Sequence, residues 1–248
     1  MYHYTWLENI PGVRGVFESI GIENASPILH SWMICFVLIG LALAGRFALA
    51  RVTAQNDLKK YVPDATLTLR NVWEIFAEGL VGLLKGVLEH QTRNPVYFGL
   101  LAGLFVYILS SNLVGLVPGF AAPTSDISTN LAMALVVLIV FNVAGLLENG
   151  FGYVKHLFGP VALLAPLIFT VEVISLFLVR PISLTLRLGG NMFGDHMVFG
   201  IMSDLVPLVL PVIFLGLGAF VSFIQALVFT LLSAVYIALA TAHEDDHH

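Results

Sequence analysis

The chain has 248 residues, 58% hydrophobic and 11% charged, with a formal net charge of -5; an ordinary soluble domain has roughly 25% charged residues. At a mean hydropathy of +0.92, one water-soluble core cannot hide that much apolar surface, so lipid must be part of the solvent. The same counts exclude disorder, a disulfide or thiolate–metal framework (one cysteine, Cys35) and a main role in nucleic-acid binding (Lys+Arg 11, Asp+Glu 16).

Residues 1–26 carry Glu8, Arg14, Glu18 and Glu23 and lack the basic-then-apolar order of a secretion signal. They are expected to be an external segment of the mature protein, ahead of a membrane domain over 27–248. About 20 helical residues cross a 30 Å hydrocarbon layer, which makes 27–46 the first span, with Arg46 and Arg51 placed to reach the headgroups. In 71–90, Asn71, Glu74, Glu78, Lys85 and Glu89 line one helical face, and Val72, Trp73, Phe76, Leu80, Leu83, Leu84 and Val87 the other. That pattern predicts a helix lying in the interface rather than crossing it.

The next spans are 95–116 and 131–147, the second bracketed by Asp126 and Glu148. Two apolar runs follow, predicted as helices over 161–194 and 206–242. A helix rises 1.5 Å per residue, so each run exceeds the membrane thickness. Each is either two short spans or one steeply inclined helix. The preferred reading is an inclined helical hairpin turning near Asp195–Asp204, giving five spans in an all-α integral membrane protein. With the N-terminus outside, the inner segments hold Arg46, Arg51, Lys59, Lys60, Arg70, Lys85, Arg93 and Lys155, and the outer ones only Arg14. The positive-inside rule favours that orientation, and the hairpin then puts the C-terminus in the cytoplasm. No internal repeat supports a transporter built from duplicated halves.

An Arg or Asp at a membrane helix centre costs about 2.5–3.5 kcal/mol on insertion scales and is a functional candidate by default. Arg187 is the deepest, with Asn191 one turn on along the same face and Gly189-Gly190 allowing close helix approach. Its structural alternatives are snorkelling to the headgroups or neutralisation by Glu172, but Glu172 lies fifteen residues before it, about 22 Å along a straight helix, too far for a direct pair. Arg180, which precedes Pro181, has two structural partners open to it: a carbonyl freed by the proline, or Glu172. Glu172 itself is either a proton-relay group or that partner. Asp195 and His196 suit a wet vestibule that passes protons, or a solvated turn. Ser222, Gln225, Ser233 and Tyr236 share one face of the last helix, as a wet path or as interhelical hydrogen bonds. Asn112, Asp126 and Asn130 form a second outer group, and Asn142 and Glu148 lie toward the inner side. The His-rich tail 243–248 reads as a solvated terminus, and no metal site is expected.

Two stretches resemble subunit a of the F-type ATP synthase membrane sector. Arg180-Pro181-Ile182-Ser183-Leu184-Thr185-Leu186-Arg187-Leu188-Gly189-Gly190-Asn191-Met192 is similar to its Pro-Ser-Leu-x-x-Arg-Leu-x-x-Asn signature. Gln225-Ala226-Leu227-Val228-Phe229-Thr230-Leu231-Leu232-Ser233-Ala234-Val235-Tyr236 is similar to its final-helix pattern, with weaker echoes at 112–119 and 124–131. The resemblance implies a non-catalytic, proton-translocating stator subunit without cofactor, in a bacterial inner membrane. Its implied partners are a c-subunit ring, the b-subunit peripheral stalk and the rest of the ATP synthase complex. It implies that Arg187 is the essential arginine facing the ring. Asn191, Glu172, His196 and Gln225 match or neighbour the family's polar channel positions. The chain departs from the family at Gly189, where Phe is common, and at His196, where many bacterial members have Glu. Glu172 stands one residue out of the usual register with Arg187. The competing reading is a standalone ion channel or secondary transporter, in which the arginine is a substrate counter-ion.

Overall fold

In a computed structural model, the described residues are 26–53, 69–85, 95–117, 119–158, 164–205 and 209–242. Among them there is no strand. The helices are α1 (Ser26–Thr53), α2 (Leu69–Lys85), α3 (Pro95–Gly115), α4 (Ile127–Asn149), α5 (Phe151–His156), α6 (Ala165–Ile174), α7 (Arg180–Leu205) and α8 (Val209–Thr241). A 3-10 turn (Pro123–Ser125) precedes α4, and a π turn (Ser175–Val179) joins α6 to α7 without a break. Among the described residues five segments are long and apolar enough to cross a membrane: Ser26–Phe47, Val96–Gly115, Ile127–Asn149, Ala165–Ile201 and Val212–Thr241. The chain is an all-α, multi-pass membrane protein.

Local chemistry sets the element ends. The Asp126 carboxylate accepts from Ser128 N at 2.8 Å and so caps α4, supplying one of the acceptors that a helix start lacks. Gly150, at φ +53, ends the same helix, in a conformation that disfavours a side chain. The expected turn at Asp195–Asp204 is not there: α7 continues through both residues to Leu205, and 206–208 lie outside the described residues. Acidic side chains mark where lipid gives way to water, but they do not break a helix.

Four helices build the core. α8 lies against α3, α4 and α7, and α4 also packs on α7. The seam holds Leu101, Ile108, Val137, Phe141, Leu188, Ala226, Phe229 and Ile237, all nearly or fully inaccessible. α2 contributes Leu80 and Leu84 to this core, and its Phe76 ring meets Phe105 with centroids 6.0 Å apart. Outward, Phe36, Phe47, Leu147, Leu167, Phe193 and Val212 are exposed, as a lipid solvent permits. Small residues allow backbones to meet where α4 and α8 cross. A Cβ on Gly145 would lie 2.8 Å from the Ala240 carbonyl oxygen and 2.7 Å from the Tyr153 ring. Gly145→Leu should therefore overpack the crossing by about 1–3 kcal/mol. The expected outcome is a clear fall in the subunit recovered from membranes, measured by quantitative immunoblotting.

Candidate proton-path site

Polar side chains gather at both ends of the helix bundle, and one cation stands on an outer face between them. At the end carrying the 3-10 turn, Asn112 from α3, Thr124 and Asn130 from α4 are fully buried. Thr124 Oγ1 donates to Asn112 Oδ1 at 2.6 Å, and Asn130 Nδ2 donates to the Thr124 carbonyl at 2.7 Å. Ser222 and Gln225 of α8 are buried as well. The network is incomplete: Asn112 Nδ2, Asn130 Oδ1 and Ser222 Oγ have no partner among the described residues. Buried polar atoms left over in this way are the lining that ordered water fills. Asp126, of the same sequence group, is committed to the cap of α4. Asp195 is half-buried in α7. His196 lies in the same helix, and its side chain is outside the described residues.

His30 joins this end without having been singled out in the sequence. It is fully buried, its ring meets Phe120 edge-on at 5.7 Å, and Nδ1 donates to the Ser26 carbonyl at 2.7 Å. Nε2 is buried and has no partner among the described residues. The only advance signal was a lone histidine in the first apolar run.

At the opposite end Arg180 is the hub. Its guanidinium lies 3.3 Å from Glu172 Oε1, 5.1 Å from the centre of the Tyr236 ring and 5.7 Å from that of Phe141. Of the two partners open to Arg180 in the sequence, Glu172 is the one it meets, and two aromatic faces support the cation. Tyr153 OH donates to Asn142 Oδ1 at 2.9 Å nearby. Burial, the largest influence, raises the Tyr153 phenol above its ordinary value despite Arg180, so it stays a protonated donor. Glu148 meets Tyr97 OH at 3.5 Å. Of the expected stripe on α8, Ser222, Gln225 and Ser233 point into the bundle, Ser233 bonding the Phe229 carbonyl at 2.8 Å, and Tyr236 turns to Arg180.

Arg187 differs from both clusters. Leu184, Thr185, Leu188 and Met192 bury one side of α7, and Asn130 covers Gly189. Ser183, Arg187, Gly190 and Asn191 lie on the exposed side. Among the described residues Arg187 has no hydrogen bond or ion pair, whereas Arg180 seven residues earlier has both. Seven residues of helix separate the two by about 10 Å.

The chain is similar over most of its length to known proteins. A family model described as the ATP synthase A chain matches residues 28–238. ATP synthase subunit a of Bdellovibrio bacteriovorus is 35% identical over 242 residues, covering 97% of this chain and 99% of that protein. ATP synthase subunit a 1 of Syntrophotalea carbinolica is 43% identical over 221 residues, covering 87% and 86%. ATP synthase subunit a of Trichlorobacter lovleyi is 39% identical over 226 residues, covering 90% and 91%. The chain belongs to the ATP synthase A chain family, the proton-translocating, non-catalytic subunit of that enzyme's membrane sector.

Proposed function

We propose that Arg187 faces a rotating ring of c subunits and separates two offset half-channels. The observation that carries this reading is the exposed face of α7: a deep cation with no partner among the described residues, flanked by Ser183, Gly190 and Asn191. A cation in lipid calls for an anion, and small neighbours allow a helix to approach it. A ring carboxyl crosses lipid only when protonated and neutral. Opposite Arg187 the ionised form is favoured, so the carboxyl gives up its proton there. Arginine suits this task because it stays charged at working pH.

The entry path runs from outside through Asn112, Asp126, Asn130, Ser222 and Gln225, with Asp195, His196 and Asn191 on α7. The exit path runs past Glu172 and Tyr236 to the cytoplasm. Each charge moved releases roughly 2.3 kcal/mol per 100 mV, which ring rotation carries to the catalytic sector. The N-terminus and residues 1–26 lie outside, the C-terminus lies in the cytoplasm, and the b-subunit stalk holds the subunit against rotation in a bacterial inner membrane.

Cysteine cross-linking tests the face directly. In a Cys35→Ser background, Ser183→Cys and Asn191→Cys should form disulfides with cysteines placed on the outer helices of the c ring. Leu184→Cys and Leu188→Cys, on the buried side, should not. The reverse pattern would send Arg187 elsewhere and favour a standalone channel or transporter.

A further inference from the structure

A single geometric irregularity controls which face of the helix Glu172 occupies. Within the run from Ala165 to Leu205, residues 175–179 form a π turn, and Arg180 N–H donates to the Ser175 carbonyl five residues back. A π turn holds about one residue more than the α turn it replaces. Residues eight apart on an unbroken α-helix are rotated by about 80° from each other. Absorbing one residue in the π turn reduces that angle for Glu172 and Arg180 to about 20°. The two side chains then lie on the same side, where Glu172 Oε1 reaches Arg180 Nη2 at 3.3 Å. Pro181 explains why the irregularity sits here. It has no N–H to continue the α pattern, and its ring would crowd the carbonyl of residue 177.

We propose that the π turn is a register device: its one surplus residue rotates Glu172 onto the face where Arg180 rests on Tyr236 and Phe141, and thereby positions the carboxylate on the exit path. The functional half of this inference rests on the exit-path role given to Glu172 above. The geometric half does not.

The device makes two unusual demands. Removing Leu178, an exposed residue of the π turn, leaves the partners seven positions apart on plain α-helix, which again places them about 20° apart. Exchanging two neighbours, Glu172→Val with Val173→Glu, leaves composition unchanged. With the π turn present, it rotates the carboxylate about 120° away from Arg180; on an unbroken helix it would improve the alignment.

Both variants are compared with the native chain in the assembled complex, reading ATP-driven acidification of sealed vesicles and the thermal dissociation midpoint of the purified complex. The deletion should keep most of the pumping and an unchanged midpoint. The exchange should lose pumping by about a hundredfold, the lower end of what a positioned proton-transfer group contributes, and should lower the midpoint. An exchange variant that pumps and holds together like the native chain overturns the proposal. So does a deletion that assembles but behaves like the exchange; if the deletion fails to assemble, the exchange alone decides. Glu172→Gln separates the two halves. Full pumping by that variant removes Glu172 from the exit path, and the register device is then judged by the dissociation midpoints alone.

Discussion

Arg187→Ala should abolish ATP-driven proton pumping while leaving the subunit assembled. The two halves of this outcome have separate physical grounds. Arg187 lies on the exposed side of α7 with no partner among the described residues, so its removal breaks no bond to them. An arginine at mid-membrane costs about 2.5–3.5 kcal/mol to insert, so alanine relieves a burden on insertion. The loss falls on the moving partner. At 4 Å and an effective dielectric constant near 20, a cation stabilises a carboxylate by about 4 kcal/mol, nearly a thousandfold in its ionisation equilibrium. On the proposed rotor-facing role, a ring carboxyl without that stabilisation keeps its proton past the stator, and rotation no longer drives proton transfer. The check is quenching of a pH-sensitive dye in inverted vesicles, alongside immunoblots for the assembled subunit. Arg187→Lys should restore only part of the function, because an ammonium in an apolar site surrenders its proton far more readily than a guanidinium. Native-level pumping by the alanine variant would end the rotor-facing reading.

The second large effect is expected from Asn130→Leu. Its amide donates to the Thr124 carbonyl at 2.7 Å inside a fully buried group and covers Gly189 of α7. Leucine would leave that carbonyl short of a donor, at a cost of about 1–3 kcal/mol. It would also replace a polar wall of the entry path with an apolar one. Passive proton conduction through the membrane sector, stripped of its catalytic sector, should fall about tenfold, the kinetic equivalent of 1.4 kcal/mol. The thermal dissociation midpoint should fall with it. A lowered midpoint with unchanged conduction would make Asn130 purely structural and move the entry path away from the 3-10 turn.

The two arginines show where sequence reasoning reaches and where it stops. Both stood out as charges inside an apolar run, because lipid makes any such charge expensive. Seven residues apart, they differ in role by what surrounds them: Arg180 rests on Phe141 and Tyr236 against Glu172, while Arg187 faces away from the bundle. Helical spacing put Glu172 about two turns from Arg180, but alignment within those turns depended on a π turn that periodicity does not reveal. The grouping of Asn112 with Asn130 was visible as a shared end of two spans. Thr124, which bonds both, and His30 were not singled out. Asp195 and Asp204, expected at the hairpin turn, both lie within α7.

Composition and apolar run length were enough to establish an all-α membrane protein of several spans, since lipid admits few ways to satisfy a backbone; that each long run is one helix was decided by the structure. The cost of a buried charge marked Arg187, and the motif around it carried the family. Residue order alone could not say which face of α7 is covered, which side chains complete the end clusters, or which partner Arg180 takes. Those depend on helices distant in the chain packing side by side, and on a single surplus residue that rotates everything before it about the helix axis.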